Sequence, residues 1–383
     1  MKYYVNGSAI AALLLCACDP NDVPRLSPDC RYIAVLDDLG KDRKKDVVRV
    51  GIFDITKGEW RHYDLPERWS AGGLVWAGPR LLIEADRPKA IKPEKEGEPT
   101  HDVLFWVLDP ATGKFHNTEP KPRIFTTPFM GTWKGKSCLF MGDPERQVTD
   151  IYTLPDISRV EALDYQVEAA GDGWLMRVLE KEDGGNILGI EVLDSVGSKV
   201  CNISTEEISK ACHRGARKPE CARVSSDGKQ IVLGFDTTTI YRQAHTEYTY
   251  GVFSLSNGKL VWKGGSNALH GIPVMIGEAI FVLEAKSRNI YTGDRTLAAI
   301  GEGRPPRSQP TSEVVLARYT PAGREVVLEL PLKKTDRAAR YSASADGKTF
   351  VLLVEGEAHR LLVVPIGPKV ALEDLREYPI REK

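Results

Sequence analysis

The sequence predicts an all-β fold, a β-propeller of about seven four-stranded antiparallel blades, on three observations. Two kinds of β-hairpin signal alternate along the chain, and each occurs seven times. Successive pairs are spaced at irregular intervals of roughly 40 to 65 residues, which suits a repeated sheet too small to stand alone. After the N-terminal leader, no window approaches eighteen consecutive apolar residues, so nothing in the body reads as a membrane-crossing helix. Closing such sheets into a ring protects their edges. The competing arrangement of the same strands is a pair of β-sandwiches.

The first element along the chain is the leader. Lys2 precedes an apolar run, Ala9 to Leu15, that is too short to remain as a bilayer-spanning helix, and Leu15-Cys16-Ala17-Cys18-Asp19 follows. Leucine, small residues and cysteine in that order resemble the bacterial lipoprotein signal, in which the cysteine thiol is lipidated and the peptide before it is cut away. Cys18 is the matching position, because Ala17 before it is small whereas Leu15 before Cys16 is not. The resemblance implies removal of residues 1–17, an acyl anchor at Cys18 in the lipid bilayer, a short tether over 18–26 and a periplasm-facing body at 27–383 in a bacterial cell envelope. Asp19 resembles the inner-membrane retention signal of enteric-type bacteria, so the resemblance favours the inner membrane over the outer. An ordinary secretory signal cut nearby, or a cytosolic chain with an apolar start, are the alternatives.

The blades follow in order. Ser27-Pro28-Asp29-Cys30 opens the first, 27–66, and its second hairpin turns at Gly58. The second, 71–118, turns at Gly78 and again at Val107-Leu108-Asp109-Pro110-Ala111-Thr112-Gly113-Lys114. The third, 123–164, turns at Gly135, and the fourth, 166–203, at Asp172-Gly173 and Gly197. Ser225-Ser226-Asp227-Gly228-Lys229 and Ser256-Asn257-Gly258-Lys259-Leu260-Val261-Trp262 mark the fifth, 220–264. Gly277 and Gly323 mark the sixth, 270–331, and Ser344-Ala345-Asp346-Gly347-Lys348 the seventh, 338–380. In these turns Asp accepts backbone hydrogen bonds and Gly takes positive φ at low cost. The Ser-x-Asp turns resemble those of TolB-like and WD-repeat-like propellers, and the segments ending at Lys114 and Trp262 resemble quinoprotein-type repeats, including those of envelope lipoproteins that scaffold outer-membrane protein assembly. Between the fourth and fifth blades, Ser204 is placed to cap a short helix starting at Thr205-Glu206-Glu207-Ile208.

Charge and cysteine usage bound the function. With 52 basic and 53 acidic residues there is no global field to attract nucleic acid, so any charge-driven binding is local. Apart from Cys16 and Cys18 the chain has Cys30, Cys138, Cys201, Cys212 and Cys221. An oxidising compartment permits a disulfide, and Cys212 with Cys221 is the preferred pair, with Cys201 to Cys212 next. The spacings of this cluster with His213 match no paired zinc-ligand pattern, so no metal is expected.

The candidate site is a loop face. In a blade, the connection from the second strand to the third leaves on the same face as the link to the next blade, and irregular, charge-rich sequence concentrates there, at 37–47, 85–101, 236–249 and 284–313. Arg87, Lys89, Lys92, Tyr241, Arg242, His245, Arg288, Tyr291 and Arg295 are the candidate binding residues, because loops on a rigid ring carry recognition and Arg and Tyr anchor interfaces. A solvated, charge-rich set of insertions is the plainer reading. The partner fitting the face is another envelope protein or an anionic envelope component. No catalytic residue and no cofactor is expected: there is no Gly-x-Ser-x-Gly elbow, His-Glu-x-x-His helix, Walker loop or Gly-x-Gly-x-x-Gly, and the histidines lack ligand spacing. The alternative is a propeller hydrolase, lyase or lactonase, metal- or acid/base-assisted, with Asp86, Asp143 and Asp236 at the axial mouth. The tryptophans are expected to pack between blades.

Overall fold

The chain forms seven four-stranded antiparallel sheets, each made of strands consecutive in sequence and paired in the order first, second, third, fourth. It is a seven-bladed β-propeller. The computed structural model describes residues 24–37, 49–65, 70–88, 101–118, 129–143, 147–154, 157–181, 186–212, 215–236, 248–266, 273–285, 313–344, 347–355 and 360–379. Blade one comprises β1 (Arg25–Leu26), β2 (Tyr32–Asp37), β3 (Arg49–Asp54) and β4 (Glu59–Asp64), and blade two β5 (Ser70–Ala77), β6 (Arg80–Pro88), β7 (His101–Asp109) and β8 (Lys114–Thr118). Blade three has β9 (Phe129–Trp133), β10 (Lys136–Asp143), β11 (Val148–Thr153) and β12 (Ser158–Leu163), and blade four β13 (Ala169–Gly171), β14 (Trp174–Glu180), β15 (Ile187–Asp194) and β16 (Lys199–Ser204). A helix, α1 (Thr205–Ala211), precedes blade five, which has β17 (Cys221–Val224), β18 (Gln230–Asp236), β19 (Tyr248–Ser254) and β20 (Leu260–Ser266). Blade six has β21 (Val274–Ile276), β22 (Ala279–Ala285), β23 (Val314–Thr320) and β24 (Gly323–Glu329), and blade seven β25 (Arg337–Ala343), β26 (Thr349–Glu355), β27 (Arg360–Pro365) and β28 (Arg376–Pro379).

The Ser-x-Asp turns explain why the chain reverses where it does. Ser27 Oγ donates to Asp29 at 2.5 Å and accepts from the amides of Arg31 and Tyr32 at 3.1 and 2.8 Å. Ser225 repeats this with Asp227 and the Gln230 amide, and Ser344 with the amides of Lys348 and Thr349. Each serine is buried, so its hydroxyl offers these turn amides an acceptor from inside the turn. Gly228 and Gly347 close two of these turns at φ 68° and 69°, whereas Cys30 takes φ 57° in the first, a position that local turn hydrogen bonds hold. The expected helix is present as well, with Ser204 Oγ accepting from the Glu207 amide and Ile208 and Ala211 buried beneath it.

The core lies between blades. Seven hydrophobic clusters match the seven interfaces around the ring. Second strands are sandwiched and buried on both faces, as with Leu81, Leu82 and Ile83 or Ile231, Val232 and Leu233, and so read as continuous apolar runs. Outer strands alternate weakly, as in β24, because one edge meets solvent. Trp76 and Trp133 are buried in two of these interfaces, as expected, and their indole N–H groups reach the Arg25 carbonyl and Glu161; Trp69 lies outside the described residues. The ring closes without exchanging a strand. Leu26, Ile33, Val35 and Phe53 of blade one pack on Val351 and Leu361 of blade seven, Phe53 meets Tyr378 at 4.6 Å between ring centres, and Trp60 Nε1 donates to the Pro379 carbonyl at 2.9 Å.

Candidate functional site

Antiparallel order within each blade divides the ring into two faces. Links from first to second and third to fourth strands lie on one, the turn face; links from second to third strands and between blades lie on the other, the loop face. On the turn face the connections are tight, as at Ala77 to Arg80, Gly171 to Trp174 and Asp109 to Lys114, except in blade seven, where 366–375 joins the third strand to the fourth. On the loop face, second and third strands are joined by 38–48, 89–100, 237–247 and 286–313 in blades one, two, five and six, and by short links in blades three, four and seven. The longest connections between second and third strands thus fall on one side.

Of the candidate binding residues, Arg87 lies in β6 opposite Asp102 of β7, at the loop-face end of the strand. Lys89, Lys92, Tyr241, Arg242, His245, Arg288, Tyr291 and Arg295 lie outside the described residues, as does Cys18. The strand ends that bracket them, Pro88 and His101, Asp236 and Tyr248, and Ala285 and Val314, all stand on the loop face. Asp86, Asp143 and Asp236 occupy the loop-face ends of β6, β10 and β18. The pattern is wider than those three: Asp37, Glu180, Glu284 and Glu355 hold the same end of the second strand in the other blades.

The expected Cys212–Cys221 disulfide is not formed; both are separate thiols. Cys212 is buried in the cluster between blades four and five, while Cys221 packs with the cluster between blades five and six. The two sulfurs therefore serve opposite faces of blade five. Cys221 pairs with Gly234, and a Cβ there would meet its sulfur at 2.4 Å, so the glycine makes room for the thiol. Burial, aided by the nearby charge of Glu220, pushes this thiol up to about 12, which keeps it protonated and unreactive.

Buried ion pairs, whose partners no local sequence pattern marks, join the strands and links. Arg360 grips Asp336 through two nitrogens at 3.2 and 2.5 Å, and both residues are buried. Burial by itself would raise the Asp336 carboxyl, but the Arg360 hydrogen bonds and the Lys333 amide outweigh it and hold it below its ordinary value. Glu284 is buried between blades five and six, where Arg324 pairs with it and Tyr319 donates to it at 2.6 Å. Glu191 is held likewise by Arg177 at 2.6 Å and Lys199 at 2.6 Å. The available signal was a charge inside an apolar run, as in Ile190-Glu191-Val192 and Leu283-Glu284.

The axis carries a different chemistry. The first strands form the inner layer and touch their neighbours around the ring, including β1 against β25. These seven strands contain Arg25, Arg223, Arg337 and Arg340 but no Asp or Glu. Arg223 of blade five donates to the Ser344 carbonyl of blade seven at 3.2 Å, reaching past blade six at the turn-face end of the axis. Among the described residues, no three His, Cys, Asp or Glu side chains come together as metal ligands.

Comparison with solved structures agrees with the fold. A structure described as "Crystal Structure of Mitotic Checkpoint Complex" superposes with a TM-score of 0.51 at 11% identity, covering 94% of this chain and 87% of that one. The match is to a WD40-like propeller. "KlHsv2 with loop 6CD replaced by a Gly-Ser linker" gives 0.49 at 10% identity, covering 94% and 98%, and "Dihydro-heme d1 dehydrogenase NirN in complex with DHE" gives 0.44 at 13%, covering 93% and 65%. No protein-family model matches the sequence. No curated protein matches it either.

Proposed function

We propose that this chain is a lipid-anchored, extracytoplasmic propeller that binds or scaffolds a partner through its loop face and carries no catalysis of its own. The observation that supports this most is the asymmetry of the ring: the long connections 38–48, 89–100, 237–247 and 286–313 all leave from one face, above blades that are otherwise closely alike. Extra chain costs little stability on such a surface, and a rigid ring gives it a fixed frame. Arg87, Lys89, Lys92, Tyr241, Arg242, His245, Arg288, Tyr291 and Arg295 belong to these connections or their bases, and their side-chain types suit an envelope protein or an anionic envelope component. Inner strands without carboxylates support a binding role over acid–base chemistry at the axis.

The anchor rests on Leu15-Cys16-Ala17-Cys18. Metabolic labelling with a fatty-acid probe is expected to mark the unsubstituted chain and not Cys18→Ala; equal labelling would contradict the anchor. For the binding face, cross-linked complexes recovered from envelope membranes are compared with 89–100 and 286–312 intact or replaced by short Gly-Ser links. Loss of a partner on replacement is expected, and an unchanged set would contradict the reading.

A further inference from the structure

Given the anchor at Cys18, on which this inference rests, we infer that the loop face lies flat against the headgroup layer of the bilayer and the turn face points away from it. The reach of the tether decides the orientation. β1 is an innermost strand and runs from the loop face toward the turn at Ser27, so the chain before it leads back toward the loop face beside the axis. Pro24 is buried and the Arg25 carbonyl is held by Trp76 Nε1 at 2.8 Å, which fixes where the tether leaves the ring.

Seven Cα steps separate Cys18 from Arg25, a span of at most about 25 Å. Arg25 pairs with Ala34, three residues short of the loop-face end of β2 at Asp37, so about 10 Å of that span is used in climbing to the face. About 15 Å remains. A ring standing on its rim would need the tether to cross from β1 to β4, three strand spacings or about 14 Å, before any of it met lipid. A ring lying on its turn face would need that crossing plus the height of a six-residue strand, about 20 Å more. Passage down the axis would have to clear the Arg223 to Ser344 bridge at the turn-face end. The turn face is therefore beyond reach, and the rim meets lipid only with the tether drawn out to its full length, so the loop face is the one that meets the membrane with slack to spare.

The consequence concerns partners. Connections on the loop face meet lipid or the membrane-proximal part of a protein embedded in the same bilayer, while the turn face is open to the soluble space. A partner wholly in solution would reach the loop-face connections only from the rim.

The test uses the full acylated chain on phosphatidylcholine vesicles whose headgroups carry a short-range quencher. A fluorophore is placed within blade four, either at Lys181→Cys on the loop face or at Val196→Cys on the turn face, both exposed positions; the unsubstituted chain provides the correction for native thiols. Loss of emission at position 181 with emission retained at 196 is expected. Equal loss at both, or loss at 196 alone, overturns the orientation. Flotation of each chain with the vesicles, alongside Cys18→Ala, separates the two levels: a chain that floats with the wrong quenching pattern overturns the orientation only, and one that does not float overturns both. Inserting a long flexible segment before Pro24 should abolish the difference between the two positions while flotation persists; a difference that survives would show that reach is not its cause.

Discussion

The two faces of the ring differ in how they are made. On the turn face, serine hydroxyls at Ser27, Ser225 and Ser344 tie down amides and glycines such as Gly228 and Gly347 supply positive φ, so these reversals are closed by local hydrogen bonds. On the loop face the strands end in carboxylates and the chain continues through connections of very unequal length. What this teaches is a division of labour. The turn face and the packing between blades define the frame, and the loop face is where sequence varies in length without breaking it.

The sharpest challenge to that division is a loop-face residue that is nonetheless structural. Asp336 lies in the link into blade seven, and Asp336→Asn leaves Arg360 buried without its main partner; a loss of about 3–5 kcal/mol is expected in denaturant unfolding. The same pair sets an acid limit. Because the folded Asp336 carboxyl sits below its ordinary value of 3.8, its contribution is complete above that value and is lost as pH falls through the lower folded one. Asp336→Asn should therefore flatten the acid limb of stability against pH, and an unchanged limb would remove the pair from the account.

On the turn face two glycines make a graded pair. Gly258, at φ 70°, would place a Cβ 2.1 Å from the Asn202 carbonyl oxygen of blade four, whereas Gly228, at φ 68°, opens onto space. Gly258→Ala is expected to cost roughly 2–5 kcal/mol, from backbone strain and overpacking together, and Gly228→Ala about 1–2 kcal/mol from strain alone. Similar losses in both would mean that the contact between blades four and five adjusts freely. Ser225→Ala removes the acceptor of the half-buried Gln230 amide and should cost about 1 kcal/mol in the same assay. Smallest of all is replacement of 286–312 by a short Gly-Ser link, which should shift stability by about 1 kcal/mol or less, toward greater stability, through a smaller loop-closure cost.

Sequence alone made the frame legible because each blade advertises itself locally. Ser225 to Gln230 spells its own turn within six residues, and Leu81 to Ile83 spells a strand covered on both sides. Features that depend on which face a side chain takes were hidden. Cys212 and Cys221 are near in sequence yet serve opposite faces of blade five, and Glu284 meets Arg324 only because β22, β23 and β24 lie side by side. At the candidate site, sequence placed the long connections on one face correctly, since that follows from strand order. It did not show the carboxylate at the loop-face end of every second strand, because no single blade makes the pattern visible.

The division of labour meets its most direct test when 89–100 and 286–312 are replaced together and two readouts are taken on the same protein: thermal unfolding of the purified chain and photo-cross-linked capture from envelope membranes. Unfolding at an unchanged or slightly higher temperature with capture abolished is the predicted result. Capture that persists through the replacement would contradict a loop-face binding site.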